Sequence, residues 1–166
     1  MDAVSILVGG AVGFLVSVGK DWLLEDKKQK EKNKQLKRER LEELHILISH
    51  WSNNLLGNGL NLLAVMQEKL DYNQYLDLII EKEVNYDFQR IEMILNIYAS
   101  ELDETHNKLL ELRGELNDIA IKYKHQYESG NFDGEIFIKP YVEIQIKFEK
   151  YVNILKNEIA NLILKN

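Results

Sequence analysis

The chain has 166 residues, no cysteine and a formal net charge of −6. Disulfides, thiolate catalysis and cysteine-based zinc or iron–sulfur sites are therefore excluded. One proline and nine glycines, with 45% hydrophobic and 29% charged residues, predict a mostly helical chain with one folded domain and an appendage.

The charge is distributed unevenly along the chain. Residues 1–40 contain nine Lys or Arg and six Asp or Glu, whereas residues 41–166 contain twelve and twenty-one. An acidic domain repels phosphate backbones, which argues against nucleic acid as a partner.

The N-terminal stretch of residues 3–19 carries no charge. As a helix continued to Leu24 it would measure about 33 Å, against a hydrocarbon core of roughly 30 Å. Lys20 is long enough to place its ammonium among lipid headgroups, and Trp22 is a residue type that favours the interface. We therefore predict a single transmembrane helix over residues 1–24.

Other interpretations of this stretch fit less well. A cleaved secretory signal begins with basic residues, but the only charge before the apolar run is Asp2. A phosphate-binding loop needs Gly-x-x-x-x-Gly-Lys-Ser/Thr, whereas five residues separate Gly13 from Gly19, and Lys20 is followed by Asp21. A dinucleotide-binding fingerprint requires alternating strands and helices, which the following sequence does not predict. A hydrophobic helix buried in a soluble core is the main alternative.

Four small residues, Ser5, Gly9, Gly13 and Ser17, recur every fourth position and share one helix face. In lipid, such a face allows two backbones to approach closely, which is how membrane helices associate. In a soluble core, each glycine would instead cost up to about 1 kcal/mol of helix stability. The pattern predicts a homo-oligomer formed through the transmembrane helix.

Residues 25–40 predict a basic juxtamembrane stalk, because eight basic residues are opposed from Lys27 onward only by Glu31 and Glu39. Positive charge marks the cytoplasmic flank of a span, so we expect an inner-membrane protein with its N-terminus outside and its C-terminal domain in the cytoplasm. A solvated helix face, a nuclear-import-like patch and a nucleic-acid arm are alternatives. The residues expected to contact an anionic leaflet are Lys20, Lys27, Lys28, Lys30, Lys32, Lys34, Lys37, Arg38 and Arg40.

Residues 41–166 predict an antiparallel helical bundle with coiled-coil-like heptads. A first helix reaches about Lys69, with local loosening near Gly57, and residues 72–84 form a short connecting helix. A long helix over residues 86–127 is expected to end at Gly130, and a last helix to begin at Pro140 after a short extended piece at residues 135–138. The heptad positions of the first helix are Leu41, Leu44, Ile48, Trp51, Leu55, Asn58, Leu62 and Val65.

The sequence contains no pattern of catalytic or metal-binding residues that we recognise. His45 and His50 are five apart, which places them on different helix faces, and there is no His-Glu-x-x-His or Gly-x-Ser-x-Gly motif. All four histidines are predicted to be surface or capping residues. We therefore predict a protein that is not an enzyme and has no cofactor and no metal ion.

Tyrosines and cations expected near the Gly130 end of the bundle form a candidate ligand or partner surface. A small anionic ligand would suit it; the alternative is that Tyr98, Tyr123 and Tyr151 are core-edge residues at helical spacing. This candidate surface comprises Tyr86, Arg90, Lys122, Tyr123, Lys124, Tyr127, Lys139 and Tyr141.

Two functions share the predicted architecture. The first is a non-enzymatic, membrane-anchored protein that self-associates through its span and uses its bundle for protein interaction or multimerisation. The alternative is a membrane-disrupting effector of the toxin, phage-defence or holin-like kind, in which the bundle gates the spans.

Overall fold

The computed structural model describes the backbone of residues 3–81 and 88–165 and the side chains of residues 24–80 and 88–165. Over these residues the protein is helical and contains no strand, which confirms the all-α class. Its helices are α1 (Ala3–Met66), α2 (Tyr72–Glu81), α3 (Phe88–Tyr98), a 3₁₀ turn (Ser100–Leu102), α4 (Asp103–Glu128) and α5 (Glu135–Lys165).

The chain divides into two compact units, one formed by residues up to Glu39 and one by Arg40–Lys165. Helix α1 contributes residues to both units. Among the described residues, no helix combines the length and the apolar character needed to cross a bilayer. The transmembrane helix predicted over residues 1–24 is thus not supported by the structure, which does not describe the side chains of residues 1–23.

Residues 24–39 of the first unit are helical, and nearly all their side chains are exposed. A helix that is polar on every side lacks an apolar stripe and depends on local side-chain pairs. Three such pairs connect residues four apart: Lys30 binds Asp26 at 2.6 Å, Gln29 binds Asn33 at 3.3 Å and Gln35 binds Glu39 at 3.0 Å. These pairs support the helix without a packed core.

In the second unit, the heptad stripe of α1 forms one wall of the core. Leu41, Leu44 and Ile48 are completely buried, and Trp51 is almost so. Helix α1 continues through Gly57 without a break, as expected for a first helix that reaches about Lys69. It ends at Met66, and Glu68 then turns the chain with a φ of 54°.

A capping box begins α2. The Oδ1 atom of Asp71 accepts hydrogen bonds from the amides of Asn73 at 2.8 Å and Gln74 at 2.9 Å, and Gln74 Oε1 accepts one from the Asp71 amide at 3.2 Å. This reciprocal arrangement satisfies amides that a helix start otherwise leaves unpaired.

The single helix predicted over residues 86–127 is wrong, because the chain reverses at Ala99. Helix α3 ends at Tyr98, Ala99 takes a φ of −149°, and a 3₁₀ turn leads into α4. The ring of Phe88 at the start of α3 lies 6.2 Å from that of His106, and the Arg113 guanidinium lies 5.6 Å from the centre of the Phe88 ring. Helices α3 and α4 therefore form an antiparallel hairpin.

Helix α4 ends at Glu128, and Gly130 terminates it as predicted, with a φ of 88°. The amide of Gly130 donates to the Tyr127 carbonyl at 3.0 Å, and the amide of Asn131 donates to the Gln126 carbonyl at 3.2 Å. These two hydrogen bonds define a Schellman motif, whose left-handed residue favours glycine.

Helix α5 begins five residues earlier than predicted, at Glu135. The expected extended piece at residues 135–138 is its first turn, where Asp133 Oδ1 accepts a hydrogen bond from the Glu135 amide at 2.9 Å. Pro140 consequently lies inside the helix, where it removes one backbone donor.

Helix α5 runs antiparallel to α1. A Cβ atom at Gly134 would lie 2.5 Å from the Cα of Met66, near the C-terminal end of α1. Further along α5, the ring of Phe148 lies 5.5 Å from that of Trp51, and Lys156 acts electrostatically on His45. The core lies between α1, α3, α4 and α5, as predicted for an antiparallel bundle.

Candidate functional site

The tyrosines near Gly130 form an aromatic cluster that joins α2, α4 and α5. The Tyr127 ring lies 5.2 Å from that of Tyr72 and 6.0 Å from that of Tyr123. Phe132 and Phe137 extend the cluster at 4.6 Å from Tyr127 and 5.6 Å from Tyr123. Of the predicted tyrosines, Tyr123 and Tyr127 contact each other here, within the packing between helices.

Tyr123 and Tyr141 are buried rather than exposed to a ligand. The hydroxyl oxygen of Tyr123 lies 3.1 Å from the Val65 carbonyl oxygen and 3.2 Å from that of Phe132, so its hydrogen is shared between two backbone acceptors. Burial raises the pKa of Tyr123 to about 12 and raises that of Tyr141 further, which keeps both phenols neutral. Both residues serve the core, which agrees with the core-edge alternative for Tyr123 and was not expected for Tyr141.

The cations of the candidate surface do not all join these tyrosines. Lys122, Lys124 and Lys139 are exposed, and Lys124 lies 3.6 Å from Glu128. Arg90 instead contacts Glu43, which lies 22 residues before Val65 in α1, or roughly 33 Å along the helix axis. Tyr86 lies outside the described residues. The structure thus separates Arg90 from the tyrosine end of the bundle.

Two arginines donate hydrogen bonds to the carboxylate of Glu43 at the other end of the bundle. Arg90 donates from Nε to Oε1 at 2.7 Å and from Nη2 to Oε2 at 2.9 Å, and Arg40 donates from Nη1 to Oε2 at 2.8 Å. The hydrogen bond from Arg90 is the main cause that lowers the pKa of Glu43 to about 2. This two-pronged contact ties α3 to α1 and keeps the carboxylate charged.

His106 corrects the prediction that every histidine is a surface or capping residue. Its side chain is only 6% exposed, and its Nε2 atom has no hydrogen-bond partner within the described part of the chain. Burial lowers its pKa, against smaller opposing effects from Glu92 and Asp103. His50 and His125 are exposed, and His45 is half-buried.

A groove of about 400 Å³ lies between α4 and Tyr151 of α5. Its charged groups include Lys108, which donates to Glu111 at 2.6 Å. No group of three acidic or histidine side chains among the described residues could hold a metal ion. The other residues lining the groove are Glu104, Thr105 and Asn107.

The residues predicted to act at a membrane lie in α1. Ser5, Gly9, Gly13, Ser17 and Lys20 have helical backbones, and their side chains are outside the described part. Lys37 and Arg40 are half-buried, whereas the other predicted cations are exposed: Lys27, Lys28, Lys30, Lys32, Lys34 and Arg38.

Sequence reasoning missed two features of the bundle, the bridging role of Glu43 and the burial of Gln145. The pairing of Glu43 with Arg40, three residues before it, is a local signal, but the partner that ties α3 to α1, Arg90, is 47 residues away. Gln145 is the polar member of an apolar three-and-four repeat in α5, and that interruption was a usable signal.

Comparison of the chain with models of known protein families, with curated proteins and with solved structures finds no match.

Proposed function

We propose that this protein is a membrane-anchored, non-enzymatic interaction module. In this proposal residues 1–24 cross the membrane with the N-terminus outside, residues 25–40 lie at the cytoplasmic leaflet, and the bundle binds a partner protein or multimerises. The proposal depends most on one observation: a basic helix, exposed over most of residues 25–40, begins five residues after a stretch of seventeen uncharged residues.

The exposed basic helix supports the membrane-proximal role. Its cations do not form a packed stripe, and their side chains point into solvent around most of the helix. Near an anionic leaflet each such cation contributes about 1 kcal/mol. A polybasic segment that adjoins an apolar stretch is typical of the cytoplasmic flank of a span.

Continuity of the backbone supports the anchoring role. Helix α1 is unbroken from Ala3 to Met66, so the uncharged stretch has the secondary structure that a membrane span requires. The face formed by Ser5, Gly9, Gly13 and Ser17 supports self-association, because small residues let two helices approach closely in lipid.

Fractionation of cells that express the full-length chain tests the anchor. The protein should stay in the membrane pellet after an alkaline carbonate wash, which removes peripheral proteins. Release into the wash supernatant would contradict a transmembrane anchor and favour a buried or surface-bound N-terminal helix.

Cross-linking in membranes tests self-association. Gly9→Leu and Gly13→Leu should reduce the cross-linked oligomer, because each adds bulk to the proposed contact face. Gly114→Leu is the matched control, since position 114 is exposed in α4 and a Cβ added there would meet no atom within 4 Å. Equal oligomer yields from all three variants would overturn the proposed contact.

A membrane-potential dye separates anchoring from membrane disruption. The interaction module leaves the potential intact while oligomers form. Depolarisation that Gly9→Leu or Gly13→Leu abolishes would instead establish the membrane-disrupting effector.

A further inference from the structure

The pairing of α1 with α5 contains a polar layer in an otherwise apolar seam. The core-facing side chains of α5 recur at intervals of four and three residues, and Gln145 is the polar one among them: Tyr141, Gln145, Phe148, Val152, Leu155 and Ile159. On α1, Asn58 interrupts the heptad stripe between Trp51 and Val65. Each helix therefore places an amide where its repeat calls for a hydrophobic residue.

The two interruptions lie at the same level of the bundle. A Cβ atom on Gly59, the neighbour of Asn58, would overlap the Nε2 atom of Gln145 and would lie 3.0 Å from the Tyr141 hydroxyl. The Gln145 side chain thus occupies the space that any residue larger than glycine would need at position 59. At this level the two helices are therefore matched in shape, by Gln145 beside Gly59, as well as in polarity.

This layer is not optimised for stability. Gln145 is only 8% exposed, yet its Nε2 atom has no hydrogen-bond partner among the described residues. The same holds in that part of the chain for Asn58 Oδ1 and Asn61 Nδ2, both on half-buried residues of α1. Unpartnered buried polar atoms destabilise a fold, so a hydrophobic residue at position 145 would give a more stable seam.

A seam made only of hydrophobic residues has a different weakness. A shift of α5 by one heptad, about 10 Å along the helix axis, would still place most of its apolar side chains against apolar side chains of α1. In such a shift Gln145 would leave Gly59 and face a position with a side chain. Single buried polar residues are known to select one register in coiled coils at the expense of stability.

We propose that Gly59 and Gln145 form a register key that holds α5 in one alignment on α1. The key selects against shifted pairings, and the polar layer lowers the melting temperature as a consequence. This inference concerns the bundle alone and does not rest on the proposed membrane anchor.

Distances between spin labels test the register in the full-length chain, held in mild detergent. The chain has no native cysteine, so His45→Cys and Lys156→Cys label α1 and α5 at facing positions. Labelled chains are diluted with unlabelled chains to suppress distances between molecules. The chain that carries only these two cysteine substitutions should give a single population of distances between the two labels.

Gln145→Met removes the amide and keeps the length of the side chain. We expect a second population shifted by about 10 Å, together with a melting temperature raised by roughly 3 °C. Leu155→Met is the matched control on the same stripe and should keep a single population. One unshifted population in Gln145→Met would overturn the key, and so would failure of that variant to fold.

A double-mutant cycle tests the contact itself. Gly59→Ala should lower the melting temperature, because its methyl group overlaps Gln145, and adding Gln145→Ala should restore part of that loss. Strictly additive effects of the two substitutions would show that the two residues do not act together and would also overturn the proposal.

Discussion

The hydroxyl of Tyr123, near the end of α4, donates to the backbone carbonyl of Val65 in the last turn of α1 at 3.1 Å. This contact joins residues 58 positions apart in the chain and fixes the two helix ends beside each other. Because Tyr123 is completely buried, water cannot replace the hydrogen bond if the hydroxyl is removed.

Tyr123→Phe should therefore lower the free energy of unfolding by about 1 kcal/mol, since the ring packing stays and only the hydroxyl is lost. Urea denaturation of the full-length protein followed by circular dichroism measures the change. Tyr98→Phe, at a half-buried position, is the control and should change stability less. Equal effects of both variants would show that the hydrogen bonding of the Tyr123 hydroxyl to the Val65 and Phe132 carbonyls does not stabilise the fold.

The lowered pKa of Glu43 predicts that the stability of the fold depends on pH in the acid range. Its pKa falls from 4.5 to about 2 on folding, so its contribution is fully present above pH 4.5 and is lost as the pH falls towards 2. The carboxylate is about one-third exposed, and solvent screening limits the contribution to about 1 kcal/mol. Glu43→Gln should lack this part of the acid transition.

The measurement is a series of thermal melts between pH 2 and pH 6, compared with Glu149→Gln at an exposed position of α5. The difference in melting temperature between wild type and Glu43→Gln should shrink as the pH falls. A difference that stays constant with pH would rule out a contribution from the charge of Glu43.

The lowered pKa of His106 predicts a second dependence of stability on pH, at higher pH than that of Glu43. Burial lowers its pKa below the ordinary value of 6.5, so folding favours the neutral ring. Its contribution is complete above pH 6.5 and is lost as the pH falls through the lowered pKa, because the unfolded chain takes up the proton first. We expect the protein to be less stable to denaturant at pH 5 than at pH 7.5.

His106→Leu should reduce that difference between the two pH values, because it removes the buried titrating ring. His50→Leu, on an exposed side chain of α1, is the matched control. If His106→Leu leaves the pH dependence as it is in the wild type, another group causes it.

Two glycine substitutions should change stability in opposite directions. A Cβ at Gly134 would lie 2.5 Å from the Met66 Cα and carbonyl oxygen, so Gly134→Ala should destabilise the protein by about 2 kcal/mol. A Cβ at Gly114, inside α4, would meet no atom within 4 Å, so Gly114→Ala should stabilise it by roughly 0.5–1 kcal/mol. Urea denaturation measures both, and effects of the same sign would contradict the described approach of α5 to α1.

Local periodicity was enough to predict the buried face of α1. Leu41, Leu44 and Ile48 follow a heptad, and a repeat of that kind is encoded within a few turns of sequence. The end of α4 was predictable for the same reason, since Gly130 is a local signal for a left-handed helix terminus.

The reversal at Ala99 was not predictable in the same way. Leu95, Leu102 and Leu109 keep a seven-residue spacing across the break, and no glycine or proline marks it. All three leucines are buried because α3 and α4 face the same core, which preserves the periodicity although the direction changes. Tertiary packing therefore overrides the local preference for one continuous helix.

The candidate ligand surface shows the same limit. Aromatic and basic residues share a stretch of sequence, yet burial assigns Tyr123 to the core and an ion pair assigns Arg90 to Glu43. Both assignments depend on partners far away in the chain, which composition and spacing do not reveal.

The hairpin at Ala99 also bears on how the chain folds. Its contacts, such as Phe88 with His106, join residues close in sequence, so little loop-closure entropy opposes their formation. Contacts between α1 and α5, such as Trp51 with Phe148, close most of the second unit into a loop. We expect helices joined by short turns, α3 with α4 and α4 with α5, to associate early, and the docking of α5 on α1 to complete folding.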